Sequence, residues 1–364
     1  MKIREVTRYL EDVAPLSSQE GYDNSGLIVG NHNDEVSAIL ISLDCIESIV
    51  DEAIEKGCNL IVSHHPIVFK GLKRLNGKNY VERTVLKAIR NNIAIYAIHT
   101  NLDNYRFGVN REMGERLNMK NIQVLKPSSD NLQKINVFVP SDYADKVASD
   151  MFEAGAGAIG DYDQCSFRTS GTGTYRPLQG SNPWEGKQGE QSQAGEVRLE
   201  MVVSSHRSGK VVRAMLNAHP YEEVAFDLVD LVNSNKDEGA GMIGELKNPV
   251  SANEILERIK STFKCGVVRH TKLPNDKVQK VAWCGGSGSF LLGAAKDQGA
   301  DVFITADFKY HEFFDAEDQI LIADIGHYES EQFTSDLLQG LLTKKFPKFA
   351  VHLTEVNTNP VNYF

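Results

Sequence analysis

Three segments of the chain place imidazoles and carboxylates where an α/β protein keeps its reactive groups. Ser63-His64-His65-Pro66 closes the apolar run CNLIV, His99-Thr100-Asn101-Leu102-Asp103 closes IAIYAI, and His327 and Glu331 follow QILIADI. In parallel sheets, sites gather beyond the carboxyl ends of the strands. Successive strand residues point to opposite faces, so His64 and His65 can serve one site only where the chain bends. Pro66 favours such a bend by biasing His65 toward an extended, turn-entering conformation. His327 and Glu331 stand at i, i+4 and share one face of a helical turn, which leaves Asp324 and Glu329 pointing elsewhere. Each segment alone has a plainer reading: a half-buried His pair, a helix-capping Asp103, a surface His–Glu pair. Their convergence at three strand ends favours a metal.

Imidazole and carboxylate without thiolate suit zinc, iron, manganese, cobalt or nickel. His64, His65, Asp103, His327 and Glu331 are too many ligands for one catalytic zinc, which typically keeps about three and a water. Two divalent ions sharing Asp103 fit better, and paired ions support hydrolytic chemistry. His99 stands beside them, and the run VFITA brings Thr305, Asp307 and His311 to a further strand end. These are candidate supporting or substrate-binding groups, with His99 and His311 the candidates for moving protons.

The elements that must hold these residues alternate. Strands are expected at 36–43, 58–63 and 93–98 and helices at 46–56, 81–91 and 109–118, with Ile46, Ile49, Val50, Ala53 and Ile54 on one face of the first helix. Such alternation predicts a parallel sheet covered on both faces. The polar stretch 126–133 reads as a linker. Beyond it come a strand at 134–139 and a helix at 141–154 with Ser141 as N-cap. A Gly-rich stretch over 155–195 reads as an extended hairpin with a mobile tip. A strand at 197–204, a helix at 208–218 and a strand at 224–232 complete the order βαββαβ, that of a ferredoxin-like domain. Residues 233–241 read as an exit linker. The α/β rhythm then resumes, with helices at 251–263 and 329–343 and strands at 266–269, 278–284, 302–306, 319–325 and 349–354. The boundaries are therefore 1–126 and 239–364 for the two halves of an α/β domain and 127–238 for the insert.

With 364 residues, 41% of them hydrophobic, the chain can bury more than one core. No apolar run is long enough to span a bilayer, and the N-terminus lacks the apolar core of a signal peptide, so a cytoplasmic location is expected. Five scattered cysteines with no C-x-x-C spacing argue against a disulfide framework and a thiolate zinc site. A net charge of −10 disfavours nucleic-acid binding. Lys70, Lys73 and Arg74 could help an anionic substrate but read better as a solvated turn. Gly239 to Gly244 spells G-x-G-x-x-G without a preceding strand, so a dinucleotide fingerprint is not expected. Gly285-Gly286-Ser287-Gly288-Ser289 follows a strand and could offer N–H groups to an anion or be a tight structural turn. His206 and His219 read as structural.

The sequence resembles the Nif-three-like family, also called GTP cyclohydrolase I type 2 homologues. The resemblance rests on Gly21-Tyr22-Asp23-Asn24-Ser25-Gly26-Leu27, Ser63-His64-His65-Pro66, His99-Thr100-Asn101-Leu102-Asp103, Gly244-Glu245-Leu246, Gly285-Gly286-Ser287-Gly288 and His327-Tyr328-Glu329-Ser330-Glu331. Tyr22 stands where the family usually has Trp. The resemblance implies a split three-layer αβα domain whose dinuclear site uses His64, His65, Asp103, His327 and Glu331. It also implies a toroidal homohexamer, a trimer of dimers, with the sites facing an interior cavity. The insert resembles PII/CutA-like domains, of which His219-Pro220-Tyr221-Glu222-Glu223 is typical, and such inserts cap the openings of the ring. A metal-dependent hydrolase acting on a nucleotide-like or phosphorylated small molecule is the function this implies. The competing expectation is a non-catalytic metal carrier or regulatory ring with a ligand-sensing insert.

Overall fold

A computed structural model of the chain describes residues 1–129, 131–272, 274 and 277–364; Asp130, within the expected first linker, lies outside them. The chain divides into two compact units, Met1–Pro127 with Asp237–Phe364, and Ser128–Lys236.

The first unit holds two sheets. One runs Gly26–Val29, Ala94–Ala97, Leu60–Ser63, Ile39–Ser42, Val351–Leu353. Its last four strands are parallel, while Gly26–Val29 pairs antiparallel with Ala94–Ala97. The three central strands are buried along their whole length, as strands covered on both faces must be. Ile39, Ile41, Leu60, Val62 and Tyr96 face a core shared with Leu338 and Leu342. Leu40, Ile61 and Ile95 face the other way, onto Ile49, Val50, Ala53, Val85 and Ala88. The second sheet runs Arg269–His270, Leu321–Asp324, Val302–Ala306, Val278–Ser287, Asn235–Val250, Lys120–Ser128. Its middle three strands are parallel, and antiparallel pairs flank them. The expected parallel sheet is thus present as the parallel centres of two mixed sheets. The halves also exchange strands: Val351–Leu353 completes the first sheet and Lys120–Ser128 the second.

Several local expectations change. The helix Ile3–Val13 and the strand Gly26–Val29 have no sequence forecast. Both expected linkers are largely strand, because Lys120–Ser128, Leu132–Pro140 and Asn235–Val250 run into them. Pairing on both sides of Asn235–Val250 outweighs its polar, Gly-rich composition. The G-x-G-x-x-G run lies inside that strand, in keeping with its being no dinucleotide fingerprint. Ser141 does not cap a helix; it opens a 3-10 turn ahead of Ala144–Ala154. Ile54 is exposed instead of packed, and the expected 329–343 helix is two pieces, His327–Glu331 and Thr334–Lys345.

The second unit is a four-stranded antiparallel sheet in the order Phe167–Tyr175, Ser192–Ser204, Leu132–Pro140, Phe226–Leu231. Alternate residues Ile135, Val137, Val139, Leu199, Met201 and Val203 pack on Val147, Met151, Val211 and Met215 of the helices Ala144–Ala154 and Ser205–Ala218. This is the βαββαβ ferredoxin-like arrangement. Among the described residues no helix is long and apolar enough to cross a membrane. All five cysteines are free, and Cys45, Cys58, Cys265 and Cys284 are buried.

Candidate metal centre

Within the first unit, the carboxyl ends of the parallel strands of both sheets meet. His64 and His65 follow Leu60–Ser63, and His99 and the short helix Thr100–Asp103 follow Ala94–Ala97. His327 and Glu331 form the ends of the short helix after Leu321–Asp324. The bend needed to bring both histidines to one side exists. The His64 N–H donates to Ser42 O and the His65 N–H to Leu43 O, and Ser63 Oγ donates back to His65 O. Ser63 is therefore a turn residue and not a nucleophile.

Three groups of side chains could each hold a metal ion, with ligand atoms within 4.8 Å of one another: His64, His65 and His99; His65, His327 and Glu331; His64, Asp103 and Glu331. The carboxylate common to two of these groups is Glu331, whereas the sequence pointed to Asp103 as the shared one. Glu331 Oε2 lies 2.9 Å from His65 Nε2 and 3.1 Å from His327 Nε2. Its Oε1 stands 3.9 Å from His64 Nε2, beyond hydrogen-bond reach. Asp103 Oδ1 is 3.6 Å from His64 Nε2.

Each imidazole is held from behind. His64 Nδ1 donates to Ile98 O at 2.8 Å, His65 Nδ1 to Asp44 Oδ1 at 2.8 Å, His99 Nδ1 to Asp23 Oδ1 at 2.8 Å and His327 Nδ1 to Asp307 Oδ2 at 2.6 Å. A carbonyl can only accept, so the His64 Nδ1 carries a proton and Nε2 is the ring nitrogen left facing the cluster. Outer acceptors of this kind fix the tautomer of metal-binding histidines and raise their basicity. Among the described residues, His64 Nε2 and Asp103 Oδ1 are both buried with no hydrogen-bond partner. An orphaned buried pair is costly by about 1–3 kcal/mol per group, and a cation between them removes that cost. The residues present therefore fit a divalent metal.

The electrostatics agree. Burial and the nearby Glu331 carboxylate hold Asp103 up to about 8. Burial works against charge on His65, yet its hydrogen bonds to Asp44 and Glu331 carry it up to about 9. Burial likewise opposes charge on His327, and Glu331 and Asp307 push it up to about 11. For Glu331 burial is overcome by His327, which holds its carboxyl well below the usual range. With protein charges alone, then, protons occupy the places a cation would take. The raised imidazoles stabilise the fold fully below their unfolded value near 6.5 and lose that contribution as pH climbs through about 9 and about 11. Asp103 carries the opposite cost, which grows as pH rises from its unfolded value toward about 8. Zinc binding at pH 7 is accordingly expected to release protons from Asp103, His65 and His327, with affinity rising as pH rises. Calorimetry in buffers of different ionisation enthalpy reads this directly; a buffer-independent heat and a flat affinity profile would contradict it.

The glycine-rich turn has a structural task. The N–H groups of Gly285, Gly286 and Gly288 donate to Asn110 Oδ1, Ser330 Oγ and Thr305 Oγ1, so they offer nothing to an anion. Gly286 has φ +62°, and a Cβ there would overlap Glu331 Oε1 and come within 3.3 Å of His327 Cε1. Bare backbone at this point makes room for the Glu331 carboxylate.

The centre opens into a cavity of about 750 Å³ lined by His65, His99, Asp103, His327 and Glu331. Tyr22, Phe69, Phe290 and Tyr363 supply apolar walls. His311 is not among its lining residues: it is exposed and stacks on Phe314. Lys70, Lys73 and Arg74 are exposed and also off the cavity wall. Thr305 is buried and bonds the glycine turn, donating to Gly286 O. Asp324 accepts from Arg269 and from the Phe308 N–H, while Glu329 accepts from Asn359; both line the cavity but belong to none of the three candidate ligand groups. Asp23, Asp44 and Asn110 received no individual role from sequence, whereas Gly286 lies in the turn already read there as structural or anion-binding. Asp44 closes the run VSAILISL and was within reach of the same strand-end rule. Asp23 and Asn110 act by hydrogen bonds between distant segments, to His99 and to Gly285, which leave no local pattern. In the second unit, His219 accepts from the Tyr221 N–H and donates to Phe138 O, a structural role.

A family model described as Duf34/NIF3 (NGG1p interacting factor 3) matches residues 1–360. The chain is 38% identical over 363 residues to the GTP cyclohydrolase 1 type 2 homolog of Halalkalibacterium halodurans, covering 98% of both proteins. It is 35% identical over 365 residues to the protein of that name from Bacillus subtilis, covering 99% of this chain and 98% of the other. The crystal structure of a Bacillus cereus protein related to NIF3 superposes with a TM-score of 0.88 at 36% identity, covering 100% of this chain and 99% of that one. The chain belongs to the Duf34/NIF3 family.

Proposed function

We propose that the chain is a metal-dependent hydrolase acting on a nucleotide-like or phosphorylated small molecule. In this reading His64, His65, Asp103, His327 and Glu331 would hold two divalent ions. The observation that carries it is the pair of buried, partnerless atoms His64 Nε2 and Asp103 Oδ1, set among imidazoles whose Nδ1 atoms are already committed. A bound ion pair supplies Lewis acidity and a nucleophile available at neutral pH. The chain's own residues do the rest. Asp23 accepts from His99 Nδ1 and from the Thr100 N–H and hydroxyl, which fixes the ring and leaves its Nε2 to take or give a proton beside the ligands. Tyr22, Phe69, Phe290 and Tyr363 line the cavity with aromatic surface on which a planar ring can stack. His311 has no part, being away from the cavity. The chain acts as the homohexamer that the family resemblance implies.

The test is turnover of GTP, other nucleotides and phosphomonoesters by metal-replete protein, followed by ring-opening absorbance and phosphate release. Activity on one class is expected, and His99→Ala should lower kcat by about 10²–10⁴-fold while metal content is retained. Metal-replete protein that turns over none of them, yet passes its metal readily to an acceptor protein, would replace the hydrolase by a carrier.

A further inference from the structure

The unit Ser128–Lys236 has a cavity of its own. Its hairpin strands Phe167–Tyr175 and Ser192–Ser204 are joined by residues 176–191, far more than the about 2–5 residues a hairpin needs, and loops of this length are commonly functional. The loop is pinned back at three points. Tyr175 Oη donates to Glu185 O at 2.8 Å, the Asn182 N–H donates to Glu222 Oε1 at 2.7 Å, and the Trp184 ring meets Tyr143 edge-on at 5.4 Å. A half-open cavity of about 580 Å³ lies between the loop and the sheet.

Its walls are aromatic and its charge is negative. Phe138, Tyr175, Trp184 and Tyr221 line it, the two tyrosine rings lying 6.4 Å apart at 54°. Glu196, Glu222 and Glu223 face a single cation, Arg176, an excess of two negative charges. Two of these groups are held firmly. Tyr221 is fixed by its N–H to His219 Nδ1 at 3.1 Å, and its ring lies 4.9 Å from that imidazole, which itself donates to Phe138 O at 3.0 Å. Glu196 lies over Gly173 of the neighbouring strand, where any Cβ would overlap its carboxylate, and it hydrogen-bonds the Tyr221 hydroxyl. A carboxylate among aromatic faces repels anions and attracts a cation with an apolar skin, because ring faces carry negative potential. A few placed polar groups in a mostly apolar hollow is the usual make-up of a small-molecule site.

We propose that this cavity binds a small organic cation, an ammonium group on an apolar body, with Glu196 as counter-charge and Tyr175, Trp184 and Tyr221 as walls. The site is independent of the metal centre and of any reaction there. The chain has two tryptophans, and Trp283 is fully buried in the other unit, so a ligand-induced change in emission reports Trp184. The experiment titrates the full chain with choline and with its neutral isostere 3,3-dimethylbutan-1-ol. A saturable change is expected with choline, and affinity for the alcohol about tenfold or more weaker. Glu196→Gln keeps the size and the Tyr221 hydrogen bond; it should weaken choline about tenfold and leave the alcohol unchanged. Trp184→Phe should remove the optical signal while saturation-transfer NMR still detects bound choline. No saturable response up to about 10 mM choline would overturn the proposal. So would equal affinity for the alcohol, or unaltered choline binding in a Glu196→Gln protein that unfolds at the wild-type temperature.

Discussion

Glu331→Ala is expected to cost the protein its divalent metal. The Glu331 carboxylate is buried, contacts His65 and His327 through one oxygen and faces His64 through the other, and is the acid common to two of the three candidate ligand groups. Removing it takes away a ligand and the negative charge that the imidazoles and a cation both require. Losing only an outer hydrogen-bond partner of a metal ligand typically lowers affinity about 10–100-fold, so loss of a shared ligand should exceed about 100-fold. Elemental analysis after dialysis, with competitive zinc titration, measures this. His64→Ala should fall in the same direction, since it removes one of the two partnerless atoms. Unchanged metal content in both variants would end the ligand assignment.

The second large effect is expected from a single methyl group. Gly286→Ala places a Cβ on the Glu331 carboxylate and asks a residue with a side chain to hold φ +62°. The left-handed conformation and the overlap together should lower stability by about 1–3 kcal/mol. The carboxylate must also move, so metal affinity should drop alongside the melting temperature. Gly293 is the matched control: it lies in the helix Leu292–Asp297 with open space around it. Ala there is expected to be neutral or to stabilise by up to about 1 kcal/mol. Thermal unfolding with and without added zinc separates the two effects, because a purely structural defect would leave the zinc-induced shift intact.

The strand ends were the legible part of this molecule. CNLIV, IAIYAI and QILIADI are apolar because their strands are covered on both faces, and a polar residue just past such a run has left the core. That physics is local, so His64, His65, Asp103, His327 and Glu331 could be gathered from sequence and are found together. That Glu331 stands in two of the candidate ligand groups was not legible, since its placement goes with the space that Gly286 leaves beside it. The edges were also hidden. Residues 235–241 (NKDEGAG) carry almost no strand propensity, and their backbone is met by residues 104–106, the Gly239 N–H donating to Asn104 O and the Arg106 N–H to Asp237 O. His311 shows the limit of the rule: it too follows a buried strand, but the 3-10 segment Tyr310–Ala316 carries it outward to solvent.

The strand exchange between halves has a consequence during synthesis. Ile39–Ser42 leaves the ribosome early, but its outer partner Val351–Leu353 follows only after the whole second unit and most of the second half of the first. Until then the first sheet presents an unpaired, apolar edge, the kind of surface that invites aggregation. The core face covered by Leu338 and Leu342 waits equally long. The unit Ser128–Lys236 owes nothing to that late segment and can fold while the rest is still emerging. Glu331 is made long after His64, His65 and Asp103, so the full set of candidate ligands waits for the second half of the first unit. Truncations that remove Val351–Leu353 should therefore yield insoluble, metal-poor protein even when every residue up to Glu331 is present.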